Sequence, residues 1–350
     1  MIRIGIVGTG ATVSIAHYHA QGYKKDSRCR ISAVYDIRRE AAEKWVADHS
    51  LDARVCESFE ELLEMCDAVD ICTPNFLHYV YAEQALKAGK HLLVEKPMAV
   101  RLEECEMLAE TAKATDRAAM VGMVYRYANP IRLAKKIVRE KIGQVYTFSA
   151  WFGGKRLADP GNPMEWRMRR EYSGSGALGD FGSHLVDLAL YVAEQRYDQV
   201  ACQSGIFIPQ RPGKDGIAEA VENDDAAVFV TSGRDGLGNF TVSRVGMDDV
   251  MLLITGEGGM LQVSLRKPGT VLYWEKVRGG GYNGNTRQYE IEPQTFFDGW
   301  FDKEMATFLD AVEGDRSDIA DIAQGLYTER VLFAAEKAAE TGRAQKVRGE

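Results

Sequence analysis

The chain has 350 residues, 45% of them hydrophobic and 27% charged, with a net charge of −8 at pH 7. That length accommodates two domains, each with its own core. The negative balance, with no Lys/Arg run and no aromatic–basic cluster, excludes a general nucleic-acid binder.

The first third alternates short apolar runs with amphipathic stretches. The apolar runs read as strands at Ile2–Val7, Ile31–Tyr35, Val69–Cys72, His91–Val94 and Ala119–Met123. Between them, helices are predicted over Ile15–Tyr23, Arg39–Asp48, Phe76–Ala88 (with Gly89 as its C-cap) and Arg101–Thr115. Apolar strands alternating with helices imply parallel βαβ units whose sheet is covered on both faces. After about residue 125 the pattern changes. A helix over Ile131–Glu140 leads to a strand at Val145–Trp151, then a Gly/Pro-rich loop to residue 176 and a helix from Asp180 to Ala193. Strands follow at Ala226–Thr231, Phe240–Val245, Met251–Thr255, Met260–Ser264 and Val271–Trp274, and two helices, Asp302–Val312 and Ile319–Thr341, come last. The fold class is therefore α/β: a doubly wound parallel sheet over residues 1–122, then an α+β domain with a mostly antiparallel open sheet over 123–350.

No apolar segment is long enough to span a bilayer, and Ile2–Val7 runs directly into a glycine turn, so neither a membrane association nor a leader is expected. Cys29, Cys56, Cys66, Cys72, Cys105 and Cys202 form no CxxC pair and no zinc-ligand spacing, so no metal is expected. Scattered thiols of this kind point to a reducing compartment, the cytoplasm.

Gly8-Thr-Gly10 follows the first strand and opens the first helix, the context in which a glycine motif carries meaning. Gly8 permits the tight turn, Gly10 lets backbone approach a pyrophosphate, and the next turn, with Thr12, offers helix N–H groups to that anion. Val13 stands where a third small residue is expected, and Ser14 takes that role if the turn is one residue longer. Asp36, followed by Ile37, ends the second strand, where a carboxylate accepts from the adenosine ribose and repels a 2′-phosphate, favouring NAD over NADP. Arg38 and Arg39 offer the opposite choice, a phosphate site for NADP, or else the solvated start of a helix.

Gly174-Ser-Gly-Ala-Leu-Gly-Asp-Phe-Gly-Ser-His184 places Asp180 four residues before His184, so on a helix both occupy one face. A carboxylate beside an imidazole fixes its tautomer and supports it as a proton acceptor. A capping aspartate followed by a core histidine would leave the same trace.

Together with Ile71-Cys-Thr-Pro-Asn-Phe-Leu-His78 after the third strand and Glu95-Lys-Pro97 after the fourth, this block resembles the Gfo/Idh/MocA oxidoreductases, in order and in spacing, along essentially the whole chain. The resemblance implies a Rossmann domain followed by an α/β domain whose open sheet serves as the oligomer interface, hence a homodimer or homotetramer. It implies hydride transfer between NAD(P) and a secondary alcohol of a sugar, sugar derivative or cyclitol. It also implies Lys96, Asp180 and His184 as catalytic residues that touch substrate. Thr73, Pro74, Asn75, His78, Glu95 and Lys96 then line the nicotinamide end. The residue types suit that chemistry: an imidazole to take the hydroxyl proton, an ammonium to stabilise the alkoxide, a carboxylate to orient either. Tyr125 at the domain crossover, where Val124 replaces a frequent Asn, and Trp166 and Arg167 in the long loop are candidate substrate contacts. Trp166 could equally pin the loop while Arg167 pairs with an acid. Two other readings accompany this one: an NAD-assisted glycosidase, in which oxidation is transient, and a nucleotide-sensing regulator without catalysis.

Overall fold

The computed structural model describes residues 1–10, 15–266, 270–277, 279, 281–282, 286–291 and 297–347. Its first part runs β1 (Ile2–Val7), α1 (Ile15–Lys24), β2 (Cys29–Tyr35), α2 (Arg39–Asp48), β3 (Arg54–Val55), α3 (Phe59–Met65), β4 (Ala68–Ile71), α4 (His78–Lys87), β5 (His91–Glu95), α5 (Leu102–Lys113) and β6 (Ala119–Gly122). The six strands form one parallel sheet in the order β3-β2-β1-β4-β5-β6. Ile4, Ile6, Val69, Ile71, Leu92 and Val94 are sealed from solvent, as a sheet covered on both faces requires. The order reverses direction at β1, where one branch leads to β2 and the other to β4. Open α/β sheets bind ligands at the carboxyl ends of strands beside such a switch point. The short β3 and α3 escape a periodicity reading; α3 is fixed by Ser58, whose Oγ accepts from the Glu61 N–H at 3.2 Å.

The remainder comprises α6 (Asn129–Ile137), β7 (Val145–Gly153), α7 (Arg170–Ser173), α8 (Ala177–Ala193), β8 (Gln199–Gly205), β9 (Gln210–Pro212), β10 (Ala218–Ala220), β11 (Ala226–Gly233), β12 (Gly236–Ser243), β13 (Asp249–Gly256), β14 (Gly259–Ser264), β15 (Thr270–Glu275), β16 (Arg287–Tyr289), α9 (Asp298–Val312), α10 (Ile322–Thr341) and β17 (Gln345–Lys346). Nine of these strands form a sheet in the order β16-β15-β14-β13-β7-β12-β11-β8-β17. Among the described residues only the β12–β7 pairing of this sheet is parallel, so it is mostly antiparallel. Inward residues such as Phe229, Phe240, Val242, Leu252 and Ile254 are buried, whereas Val228, Val230, Leu237 and Leu253 alternate with them and stay exposed.

Two compact units result, Met1–Tyr127 with Thr295–Leu326, and Ala128–Gln294 with Tyr327–Glu350. A single division at 122/123 therefore does not describe the chain, because α9 returns to the first unit. The reason is packing. Gly22 of α1 lies so close to α9 that a Cβ there would stand 2.7 Å from Met305 and 2.9 Å from the Phe301 carbonyl. Tyr18 stacks on Phe301 at 5.2 Å, and Lys25 pairs with Asp302. Ala320 adds to the edge of β6, its carbonyl accepting from the Val121 N–H at 2.8 Å.

All six cysteines are buried free thiols. Burial pushes Cys29 up to about 11 and Cys66 and Cys202 up to about 12, so at neutral pH they are protonated packing residues.

Candidate active site

In the first unit, β1 ends in a turn in which Gly8 has φ +88° and Gly10 φ +70°, a backbone that side-chain-bearing residues rarely adopt. Gly8 has a second constraint, since a Cβ would meet the Thr73 backbone at 2.9 Å. Thr12, Val13 and Ser14 lie outside the described residues. Asp36, just past β2, reaches back to the glycine turn: its Oδ2 accepts from the Thr9 N–H at 2.9 Å and the Thr9 hydroxyl at 2.8 Å. Its Oδ1 accepts from the Arg38 N–H at 2.9 Å. These three hydrogen bonds hold the carboxylate at the end of β2. Ile37 beside it is 75% exposed. Arg39 is committed to Glu43 and Glu57, which makes it the start of a solvated helix face; Arg38 is half exposed, its Nε 3.7 Å from Asp36.

The loop after β4 and the loop after β5 are tied together by His78. One of its ring nitrogens lies 2.8 Å from the Thr73 carbonyl and the other 2.7 Å from the Pro97 carbonyl. Burial lowers the His78 pKa, and the hydrogen bonds to the Pro97 and Thr73 carbonyls oppose that shift. Pro74 and Asn75 open a short 3₁₀ turn, and the Thr73 Oγ1 is buried with no hydrogen-bond partner among the described residues. A buried hydroxyl in that condition suits a bound ligand. Lys96 follows the last residue of β5, at the carboxyl edge of the sheet, while the Glu95 side chain is turned inward and is 10% exposed. Tyr125 is 5% exposed and packs against Trp300 at 5.5 Å. The positive-φ turn, the orphaned Thr73 hydroxyl and the Asp36 carboxylate fit a dinucleotide.

In the second unit, α8 begins at Ala177, three residues earlier than the sequence indicates. The cause is Asp224, whose Oδ1 accepts from the Gly176 N–H at 2.7 Å and whose Oδ2 accepts from the Leu178 N–H at 2.8 Å. The Asp224 carbonyl takes the Ala177 N–H at 2.9 Å, so one residue satisfies three helix-terminal donors. Gly176 is required there, since a Cβ would stand 1.9 Å from the Asp224 carbonyl oxygen. Burial raises the Asp224 pKa, opposed by Arg244 and by these donors.

Asp180 therefore sits in the first turn of α8 and His184 one turn later, on the same face. His184 is 5% exposed, with its Nδ1 buried; Phe152 lies 6.1 Å away and itself stacks on Phe181 at 4.2 Å. The Asp180 carboxylate has Arg244 Nη2 at 3.7 Å. Arg167 lies over the Trp166 ring at 4.4 Å, and its pKa is lowered by burial and sustained in part by Asp180. The Arg167 carbonyl accepts from Asn223 Nδ2, Ser173 Oγ and Arg244 Nη1, which pins the long loop close to α8. The Arg167 side chain has an acid nearby, its Nη1 3.7 Å from Glu165 Oε2. Asn223, Asp224 and Arg244 went unnoticed in the sequence. The polar Asn-Asp-Asp run before β11 was a possible sign of a cap, whereas Arg244 has no local signature.

The family model described as an oxidoreductase family with an NAD-binding Rossmann fold matches residues 2–123, and the Gfo/Idh/MocA C-terminal domain model matches 131–262. The chain belongs to the Gfo/Idh/MocA oxidoreductase family. Its first unit is an NAD-binding Rossmann domain, and the antiparallel sheet of the second is the family's C-terminal domain. Levoglucosan dehydrogenase of Pseudarthrobacter phenanthrenivorans is 38% identical over 154 residues, covering 44% of this chain and 39% of that protein. Glucose-6-phosphate 3-dehydrogenase of Bacillus subtilis is 33% identical over 199 residues, covering 56% and 55%. The matched stretches thus span about half or less of these relatives. The crystal structure of an NAD binding oxidoreductase from Klebsiella pneumoniae superposes with a TM-score of 0.90 at 25% identity, covering both chains completely.

Proposed function

We propose that this member of the Gfo/Idh/MocA family is an NAD-dependent dehydrogenase of a secondary alcohol on a sugar, sugar derivative or cyclitol. The observation that carries the reading is the pairing of Asp180 and His184 on one face of α8, in a chain that also keeps Lys96 at the carboxyl edge of an NAD-binding sheet. Nicotinamide, when bound, accepts or returns the hydride. Gly8, Gly10, Asp36 and Thr73 would hold the dinucleotide. His184, with Nδ1 buried, takes the hydroxyl proton at Nε2. Lys96 donates from Nζ to the substrate oxygen and stabilises its developing negative charge. Asp180 orients the imidazole or accepts from a neighbouring hydroxyl. Trp166 and Arg167 present a ring face and a planar donor fork suited to a polyol. The buried, reduced thiols support a cytoplasmic location.

The test is an NAD+ reduction screen over inositols, aldoses, their lactones and anhydrosugars, followed by NADH absorbance. Steady NADH accumulation from a free polyol is expected; a protein that binds NADH yet oxidises none of these compounds would rule the reading out. A transient redox cycle in a glycosidase would give no such accumulation.

Two further outcomes follow. Asp36→Ala removes the carboxylate that repels a 2′-phosphate, so fluorescence titration should show weaker NADH binding and a narrowed preference over NADPH. An unchanged NADH/NADPH ratio would show that Asp36 does not select the cofactor. The exposed row Val228, Val230, Leu237 and Leu253 is the surface we assign to a homodimer or homotetramer. Light scattering of the Val230→Lys variant should then report a smaller particle than the native chain; equal masses would discard that assignment.

A further inference from the structure

His19 sits on α1 with its side chain fully buried, and two carboxylates from different strands meet it. Its Nδ1 is 2.9 Å from Asp70 Oδ2 and 3.1 Å from Asp70 Oδ1, on β4. Its Nε2 is 3.3 Å from Glu95 Oε1, at the end of β5, within ion-pair distance but without hydrogen-bond geometry. Cys72 Sγ, just past β4, lies 3.4 Å from Asp70 and 3.6 Å from His19 Nδ1. Tyr23, one turn along α1, also faces Asp70, and the Phe301 ring packs 5.2 Å from the imidazole. The arrangement is built into the sheet: a Cβ on Gly122 of β6 would stand 2.4 Å from Glu95 Oε1, so the glycine makes room for that carboxylate.

A carboxylate buried as deeply as Asp70 needs a cation and a hydrogen-bond donor, and an imidazolium supplies both while its other nitrogen stays within ion-pair distance of Glu95. Burial alone would lower the His19 pKa, but Asp70 and Cys72 raise it well above the ordinary value. The two anchored residues are placed where the chemistry begins. Asp70 lies three residues before Thr73, and Glu95 is the immediate neighbour of Lys96. Backbone displacement at either strand end moves the groups that follow it.

We propose that His19 is a positioning residue: held between Asp70 and Glu95, it locks the carboxyl ends of β4 and β5 to α1 and thereby sets where Lys96 stands. This rests on the dehydrogenase reading above.

The experiment uses the full chain with a polyol that the native protein oxidises, so that failure of the dehydrogenase reading is recognised before the variants are compared. His19→Ala should lower kcat by about 10–10²-fold, the scale of an ångström-level misplacement, with polyol KM changed by less than about threefold. His19→Gln, which can donate to one carboxylate but not to both, should recover part of that loss. In a Lys96→Met background the His19 substitution should have almost no further effect on kcat, because the group it positions is gone. A loss of the same factor in both backgrounds would reduce His19 to a general core residue and overturn the proposal. Should His19→Ala fail to fold, Asp70→Asn removes one carboxylate without opening a cavity, and the same two backgrounds are compared. Independently of turnover, ¹⁵N spectra of histidine-labelled protein should show both ring nitrogens of His19 protonated at pH 8. A neutral tautomer would overturn the clamp. So would a stoichiometric metal ion lost on substitution of His19, because His19, Asp70 and Cys72 are close enough to share a cation.

Discussion

Replacing Lys96 by methionine should lower kcat by about 10²–10⁴-fold, the range for a removed proton-transfer or charge-stabilising group. The methionine keeps the length and much of the apolar stem, so the end of β5 retains its packing and NADH binding should change little. What disappears is an ammonium able to donate to the substrate oxygen. Lys96→Arg should rescue poorly, since a planar fork cannot place one donor where a compact ammonium stood. Steady-state kinetics with NADH fluorescence titration on the same preparations decides the matter. A native kcat in Lys96→Met would remove the residue from the reaction; loss of NADH binding in parallel with kcat would make it a cofactor contact.

Asp224→Ala should produce the second large effect, in stability and activity together. The substitution orphans the N–H groups of Gly176 and Leu178 at the buried start of α8 and takes a charge partner from Arg244. Loss of a helix cap together with unsatisfied buried donors costs roughly 1–3 kcal/mol. The first turn of α8 carries Asp180 and the second carries His184, so relaxation of this end displaces the proposed acid–imidazole pair. kcat/KM in the folded protein should fall by about tenfold to a hundredfold. NADH affinity should remain, because the dinucleotide residues belong to the other unit. Thermal unfolding, steady-state rates and NADH titration distinguish the outcomes. A stability loss with native kcat/KM would show that the cap serves folding alone. Asp224→Asn, which keeps one acceptor oxygen, should fall between the two.

Much of this protein is legible along the chain because its signals are local. Strand–helix alternation gives the doubly wound sheet, since a strand buried on both faces must be apolar throughout and the helices between must be amphipathic. The glycine turn is legible because glycine adopts at no steric cost the positive φ found at Gly8 and Gly10, which other residues rarely take. The spacing of Asp180 and His184 is legible because a helix turn converts four positions into one face. Boundaries drift where a partner from afar intervenes. The start of α8 moves to Ala177 because Asp224, 46 and 48 positions away, receives its terminal N–H groups. The helix expected over Phe76–Ala88 splits into a 3₁₀ turn and α4, with His78 recruited to the Thr73 and Pro97 carbonyls.

Sequence alone determined the class of each unit and the nucleotide-binding turn, and it singled out Asp36, Lys96, Asp180 and His184 as candidates for the proposed chemistry. Each depends on neighbours within a few positions of one another or on a motif read in order. Tertiary structure decided that α9 belongs with the first unit, that Arg244 stands by Asp180, and that His19, otherwise an unremarked histidine, joins Asp70 from 51 positions away. Burial creates these partnerships: once a charge leaves water its free energy depends on whichever group the fold brings to it, and no local pattern encodes that meeting.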